Sequence, residues 1–289
     1  MFGVPSAAGA RGAGTERAAF VLREEGLLDA LRATGARVVN LSDLSLFLFR
    51  DDPGHPKARN AEVVACAVRA TADEMTRALA EGFTIVIGGD CTLVAGAASG
   101  AQTALARPVG LVYIDANADL NTEETTPSGF LGGMALALAL GRGPREITLD
   151  GGPIRPEHVA LLGFRTLDPG ERDALGDLGL AVPSGAMRRL GMRVAAALAL
   201  DAIDNDDGPV LVHLDVDAIE YAEMPVKLSA EGGLSVAEVS DLLTALVASP
   251  RVVALHVAEF DPAKDPEGVH ARKVIDLLAR AVARRVRAA

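Results

Sequence analysis

The chain has 289 residues, 49% of them hydrophobic and 23% charged, a balance typical of a globular protein rather than a disordered one. Its formal net charge of -11 argues against a nucleic-acid partner, because phosphate binding requires a basic face. The two cysteines, Cys66 and Cys91, do not have the spacings of a disulfide framework. With no basic-then-apolar leader and no apolar run near about 18 residues, we expect a cytoplasmic protein without a membrane segment.

Apolar runs of strand length alternate with longer segments of helical period. In chain order the predicted elements are a short strand at 1–4, helices at 17–34 and 61–81, a strand at 83–87 followed by an alanine-rich helix, strands at 109–114 and 159–162, a helix starting near 169, a helix at 187–203, a strand at 210–214, a helix at 236–248, a strand at 252–257 and a last helix at 266–286. The strands are apolar throughout, as expected when helices cover both faces of a parallel sheet. We therefore predict an α/β fold with three α/β/α layers, a doubly wound, mostly parallel sheet and a single domain over 1–289.

Carboxylate side chains stand at or just after the carboxyl ends of these strands. They are Asp90, Asp115, Asp119, Asp215, Asp217 and Glu259. In open α/β sheets, ligands bind at that edge. Carboxylates gathered there would repel one another unless a cation neutralised them, so a metal site is predicted.

Spacing sharpens this prediction. Asp115, Asn117 and Asp119 stand at i, i+2 and i+4, so in extended backbone their side chains would point the same way, and Asp215 and Asp217 repeat the pattern on another strand. Oxygen ligands from two strands suit a hard divalent cation or a bridged pair. Aspartates at strand-to-helix junctions can instead serve as helix caps and turn formers. The presence of two such patterns favours the metal site.

Four short motifs at these strand ends carry a family resemblance. They are Gly88-Gly-Asp90-Cys91-Thr92, Asp115-Ala-Asn117-Ala-Asp119, Asp215-Val-Asp217 and Glu259-Phe-Asp261-Pro262. In this order they resemble Gly-Gly-Asp-His-Ser, Asp-Ala-His-x-Asp, Asp-Val-Asp and Glu-Val-Asn-Pro of the arginase and agmatinase (ureohydrolase) family. The resemblance covers nearly the whole chain, and arginases look like the nearest large branch.

The resemblance implies a reaction and a set of site residues. In that family two manganese ions share bridging ligands and activate a water that attacks a guanidinium carbon. By position, the resemblance implies that one ion is held by Cys91, Asp115, Asp119 and Asp215, and the other by Asn117, Asp115, Asp215 and Asp217. It also implies that Asp119 accepts a proton from the water, that Glu259 pairs with the substrate guanidinium, and that the chain forms trimers or hexamers.

Three positions depart from the family pattern, since most members carry histidine where this chain has Cys91, Asn117 and Gly132. A thiolate shifts metal preference from Mn²⁺ towards Zn²⁺ or Fe²⁺, and an amide oxygen is a weaker ligand than imidazole. Gly132 removes a proton shuttle to the leaving amine, and such acid-base help is worth about 10²–10⁴-fold in rate. His213 and His256 lie near the motifs and could compensate.

Further departures bear on the substrate. Phe130 stands where family arginases carry an asparagine that contacts the carboxylate of the free amino acid. Polar contacts to a substrate are left to Asn121, Thr126 and Ser128, and Asp168 would lie near an amino group. A small branch with a similar cysteine and glycine hydrolyses Nω-hydroxyarginine to ornithine and hydroxyurea. Arginine within a peptide is another candidate substrate.

Three functional hypotheses follow. The first is metal-dependent hydrolysis of a guanidino C–N bond in an atypical substrate, which the retained carboxylates favour. The second is a non-catalytic arginase-fold protein that acts as a binding or assembly partner, which the missing histidines favour. The third is a different amidine or amide hydrolase on the same scaffold.

Overall fold

The computed structural model describes residues 1–203, 206–226 and 231–288. Within them, seven strands form one sheet: β1 (Phe2–Gly3), β2 (Thr84–Ile87), β3 (Gly110–Ile114), β4 (Val159–Leu162), β5 (Leu180–Val182), β6 (Val210–Asp215) and β7 (Val252–Ala258). Their order across the sheet is β1-β2-β7-β6-β3-β4-β5. Every neighbouring pair is parallel.

Helices cover both faces of this sheet. They are α1 (Ala18–Glu24), α2 (Leu27–Ala33), α3 (Ala61–Ala78), α4 (Leu93–Leu105), α5 (Ala135–Ala139), α6 (Ser184–Leu190), α7 (Met192–Ala202), α8 (Val236–Val247) and α9 (Val269–Ala288). Helices α3, α4 and α5 pack on one face, which we call the α4 face. The rest pack on the other. None of the helices in the described ranges combines the length and apolar character needed to cross a bilayer.

Alternation of side chains along each strand divides the core in two. On β3, Leu111 and Tyr113 join the core of the α4 face, whereas Val112 and Ile114 join the core of the opposite face. All four side chains are fully buried. Strands buried on both faces need apolar residues at every position, which is why the sheet could be predicted from continuous apolar runs. The predicted fold class is confirmed.

Some predicted elements differ from those in the structure. The single helix predicted at 17–34 is two helices, because Gly26 has a left-handed φ of 97° that interrupts the helix. The helix predicted at 187–203 is likewise interrupted at Gly191, where φ is 85°. The helix predicted near 169 is only the 3-10 turn Pro169–Glu171. Strand β5 was not predicted, because it is short and only partly buried.

Close packing of α3 against α4 depends on two glycines of α4. A Cβ atom added to Gly96 would overlap the carbonyl oxygen of Val68, and one added to Gly100 would overlap that of Ala72. Backbone contacts of this kind leave no flexible side chain to move aside. The glycines therefore fix the distance between the two helices, and with it the position of the amino end of α4 over the sheet.

We expect Gly100→Val to lower the free energy of unfolding by about 1–3 kcal/mol, because the added side chain must push α4 away from α3. Ala104→Val is the matched control, since Ala104 is exposed on the same helix and its replacement costs only helix propensity, below about 1 kcal/mol. Urea unfolding of both variants measures the difference. Equal losses would mean that the two helices tolerate a wider separation.

Candidate metal centre

The carboxyl ends of three neighbouring strands bring the predicted ligands together. Asp115 follows β3, Asp215 ends β6, and Glu259 follows β7. Because β3 pairs with β6 and β6 with β7, the three acidic residues meet at the centre of the sheet. Carboxylate oxygens of Asp115, Asp215 and Asp217 all lie within 4.8 Å of one another. The predicted convergence of the motifs is therefore present in the structure.

The segment after β3 is bent, so the predicted extended i, i+2, i+4 arrangement of Asp115, Asn117 and Asp119 is wrong. Asp119 has a left-handed φ of 51°, which turns its side chain back towards the strand. There its Oδ2 atom accepts a hydrogen bond from Tyr113 OH at 2.6 Å. Asn117 is held at the other end of the bend, where its backbone N–H donates to Asp115 Oδ1 at 2.7 Å.

The second acidic pair is also set by a turn. Asp217 lies in the 3-10 turn Val216–Ala218, and its backbone N–H donates to Asp215 Oδ1 at 2.7 Å. Asp217 Oδ1 accepts from the Ala116 N–H at 3.1 Å, and Asp217 Oδ2 accepts from Asn117 Nδ2 at 3.1 Å. These hydrogen bonds connect the loops after β3 and β6. The Asn117 amide thus presents its Nδ2 donor to Asp217, which leaves the side-chain oxygen as its ligand atom.

Cys91 lies just before α4 and is buried against the acidic residues. Its Sγ atom donates to Asp215 Oδ2 at 2.7 Å and lies 3.8 Å from Glu259 Oε1. Burial raises the pKa of the Cys91 thiol well above its usual value, and the negative charges of Asp215 and Glu259 raise it further. In this surrounding the sulfur is a protonated donor unless a cation neutralises the carboxylates.

Asp90 does not face the centre, although the sequence placed it among the acidic residues of this edge. Its Oδ2 atom accepts from Ser6 Oγ at 2.7 Å and from the Gly9 N–H at 3.2 Å. Its Oδ1 atom accepts from the N–H and the hydroxyl of Thr92. Both oxygens are therefore used to fasten the loop after β1 to the start of α4. Asp90 orders the site instead of lining it.

Burial shifts the titration of the acidic cluster. Removal from water raises the pKa of Asp115 and of Asp215 well above the usual aspartate value, with neighbouring carboxylates adding to the effect. Burial also raises the pKa of Asp119 to about 8 and raises that of Asp217. Among the described residues, the buried Oδ2 atom of Asp115 has no hydrogen-bond partner. Several buried carboxylates with an unused oxygen are a donor set that fits divalent cations.

A cavity of about 290 Å³ opens from this cluster. Its lining includes Cys91, Asn117, Asp119, Asp215, Asp217 and Glu259 from the candidate centre, and the predicted substrate contacts Asn121, Thr126, Ser128 and Asp168. Asn121 Nδ2 donates to Asp168 Oδ2 at 2.8 Å, so these two side chains hold each other in place. Phe130 and Gly132, the two departures that concern the substrate, also line the cavity.

Three side chains around the candidate centre or its cavity were missed by the sequence analysis. Tyr113 could have been found, since it stands two residues before Asp115 and hence on the same face of its strand. Glu171 belongs to an Asp-Pro-Gly-Glu segment, and its carboxylate accepts the backbone N–H groups of Leu120 and Asp168. Arg11 lines the cavity from a glycine- and alanine-rich loop. A lone arginine in such a segment was its one visible signal.

His213 and His256, which the sequence left as possible compensating ligands, lie side by side beneath the acidic cluster. They face each other in register on β6 and β7 and are fully buried. Burial lowers the pKa of both rings, to about 3 for His256, so both are neutral at ordinary pH. A Cβ atom at Gly88 would overlap His256 Nε2, so a glycine is required there.

A cavity at the carboxyl edge of a parallel sheet, with buried carboxylates at its base, is typical of metal-dependent α/β enzymes. The family model described as "Arginase family" matches residues 1–284. Arginase of Bacillus caldovelox is 29% identical over 287 residues, covering 96% of this chain and 95% of that protein. Arginase of Brucella melitensis is 31% identical over 297 residues, covering 99% and 96%.

Solved structures of arginases also match this chain. The crystal structure of arginase from Bacillus cereus matches with a TM-score of 0.87 at 27% identity and covers 97% of this chain and 96% of that chain. Arginase from Bacillus subtilis matches with a TM-score of 0.87 at 28% identity, covering 97% of each chain. This chain belongs to the arginase family, whose members are hydrolases that act on amidines. The predicted family and enzyme class are confirmed.

We expect the cation-free protein to lose stability as the pH rises from about 4 to about 8. Over that window the folded chain keeps protons on Asp119 and its neighbours that the unfolded chain releases near the ordinary aspartate pKa, so the free energy of unfolding falls. Mn²⁺ should offset this loss by binding the ionised carboxylates. Calorimetry with EDTA or Mn²⁺ should therefore show a larger rise in Tm at about pH 8 than at about pH 5.

Two variants test the origin of the pH effect. Asp119→Asn should reduce the pH dependence of the cation-free Tm, because it removes one of the shifted groups. Asp150→Asn, at an exposed position, should leave the pH dependence as it is in the parent. The same rise in Tm with Mn²⁺ at both pH values would contradict this account of the cluster.

Proposed function

We propose that the chain catalyses metal-dependent hydrolysis of a guanidino C–N bond. The observation that carries the proposal is the cavity lined both by Glu259 and by Asp119, Asp215 and Asp217 of the acidic cluster. A guanidinium is planar and presents paired N–H donors that match a carboxylate, so Glu259 is suited to hold it. The aspartates of the cluster are suited to hold cations beside it. Holding the guanidinium and holding the cations require different carboxylates, and the cavity contains both kinds.

The residues divide the work as follows. Two divalent cations, with Mn²⁺ as the family expectation, would lower the pKa of a water and provide the nucleophile. Asp115 and Asp215 would contribute to both ions, Cys91 and Asp119 would hold one, and Asp217 and Asn117 would hold the other. Asp119 would also accept a proton from that water, the role that the family resemblance implies for this position.

Glycine at position 132 bears on the leaving group. The backbone N–H of Gly132 donates to the carbonyl of Gly9 at 2.9 Å, and an added Cβ atom would lie 3.2 Å from that oxygen. A histidine here would therefore press on the loop that Asp90 holds in place. The site thus works without a side chain that passes a proton to the leaving amine. This favours a guanidino substrate whose leaving group departs easily, such as Nω-hydroxyarginine.

The side of the cavity around Phe130 bears on the rest of the substrate. The Phe130 ring packs near Phe49, with 6.3 Å between centroids, and Arg59 Cζ lies 4.9 Å from its centroid. Arg11 Cζ lies 5.7 Å from the same centroid and Arg11 lines the cavity. An apolar ring suits the body of a longer substrate such as an arginine-containing peptide. Arg11 offers a cation for any carboxylate that the substrate carries.

Several other expectations stay predictions. They are the single domain over 1–289, assembly as a trimer or hexamer, and a cytoplasmic location. Rates of ornithine release decide between a small-molecule and a peptide substrate.

We expect the Mn²⁺-loaded protein to hydrolyse Nω-hydroxyarginine or an arginine-containing peptide faster than free arginine, by about 10²-fold or more, because the proton shuttle is missing. Ornithine release, with urea or hydroxyurea as the second product, measures the rates. Free arginine as the fastest of the three substrates would contradict the argument from Gly132. If none of the three substrates is hydrolysed when two cations are bound, the non-catalytic alternative is favoured.

A pair of variants controls this assay. Glu259→Gln should lower kcat/KM for the best substrate by about 10²-fold or more, because a misplaced guanidinium cannot meet the nucleophile. Glu124→Gln makes the same chemical change at an exposed position and should behave as the parent. Retained activity in Glu259→Gln would remove this residue from the proposed role.

A further inference from the structure

Three rings form a row across the sheet on its α4 face, directly below the acidic cluster. Tyr113, His213 and His256 occupy paired positions on β3, β6 and β7. The Tyr113 and His213 rings stack with 4.4 Å between centroids, and the two histidine rings lie 4.8 Å apart. All three side chains are 0% exposed. The Tyr113 hydroxyl donates to Asp119, but the proposed function uses neither imidazole.

The nitrogen atoms of the two histidines are only half satisfied. Their Nδ1 atoms lie 2.9 Å apart, a hydrogen-bond distance at which one of these nitrogens donates and the other accepts. Over the ranges that the structure describes, neither Nε2 atom has a hydrogen-bond partner. When His213 is the donor, its Nε2 atom keeps a lone pair. Metal-binding histidines have this arrangement, with the second ring nitrogen donating to a neighbour that fixes the ring.

The surroundings of His213 supply two more ligand atoms. A ring nitrogen of His213, the sulfur of Cys91 and a carboxylate oxygen of Asp115 lie within 4.8 Å of one another, and all three residues are buried. Because Nδ1 of His213 faces His256, Nε2 is the atom left to coordinate. The unused Oδ2 atom of Asp115 is a second buried donor without a partner in the described chain. Three unlike donor atoms therefore meet at one point.

We propose that Cys91, Asp115 and His213 form a sulfur, oxygen and nitrogen site that prefers Zn²⁺ or Fe²⁺ to Mn²⁺. A thiolate with an imidazole is the donor pair that such cations favour. The neighbouring group of Asp115, Asp215 and Asp217 contains oxygen donors alone and suits Mn²⁺. The inference rests on the metal centre of the proposed function and deepens it. His213, which lies on β6, supplies an imidazole in place of one of the missing family histidines. His256 is the positioning residue of the His213 ring.

Cobalt(II) tests the assignment without any turnover. Thiolate ligation of Co²⁺ produces a charge-transfer band in the near ultraviolet, and the visible bands report the number and geometry of the other ligands. The first equivalent of Co²⁺ added to the metal-free full chain should produce the charge-transfer band and the visible bands. His213→Gln should keep the thiolate band, change the visible bands and weaken Zn²⁺ binding by about 10²-fold, with Mn²⁺ binding at the carboxylate group unchanged.

His158→Gln is the matched control, because His158 is also buried but belongs to neither group of candidate ligands. It should bind Co²⁺ and Zn²⁺ as the parent does. Unchanged visible bands and Zn²⁺ affinity in His213→Gln would overturn the inference. If that variant does not fold, X-ray absorption at the zinc edge of the unsubstituted protein decides: sulfur with imidazole supports the site, and no imidazole scattering overturns it.

Failure of this inference is distinguishable from failure of the proposed function. If His213→Gln hydrolyses a guanidino substrate with Mn²⁺ and shows the parent's cobalt spectrum, the proposed function is supported. His213 is then not a ligand of the metal centre. A parent protein that gives the expected cobalt spectrum but hydrolyses none of the three substrates would keep the metal site and remove the function.

Discussion

Buried carboxylates repel one another at the carboxyl edge of the sheet, and this repulsion governs the chemistry of the site. Asp115, Asp215 and Asp217 crowd together because parallel strands end at one edge, and burial deprives them of the water that would screen their charges. The chain can relieve the repulsion by holding protons or by holding cations. The raised pKa values describe the first state. The unused oxygen of Asp115 and the cavity beside the cluster fit the second.

Residues outside the cluster act mainly by fixing its geometry. Asp90 fastens the loop after β1 to α4, which places Cys91 over the sheet. Glu171 holds the loop after β3 through the Leu120 N–H. The N–H of Glu259 donates to the Gly89 carbonyl at 2.8 Å, so a hydrogen bond also joins the loops after β2 and β7. Asp90 does not line the cavity, whereas Glu171 and Glu259 do, and each of these contacts limits where a ligand atom can lie.

The fold could be predicted well because burial on both faces demands apolar residues at every strand position. Helix ends were predicted less well, since a periodic pattern runs on through Gly26 and Gly191, where a left-handed backbone interrupts it. At the site, the convergence of most strand-end carboxylates could be predicted, but the orientation of their side chains could not. The bend at Asp119 and the contact with Arg11 depend on loops whose course no local spacing reveals.

Two of the acidic residues at the centre adopt a backbone conformation that side chains other than glycine rarely take. Asp119 has φ 51° and Glu259 has φ 63°. The left-handed region costs an L-residue roughly 1–2 kcal/mol. Backbone strain alone would therefore favour glycine at both positions, whereas the proposed chemistry requires a carboxylate. Under the proposed function, stability and activity are opposed at these two residues, because glycine would relieve the backbone strain and also remove the carboxylate that the reaction needs.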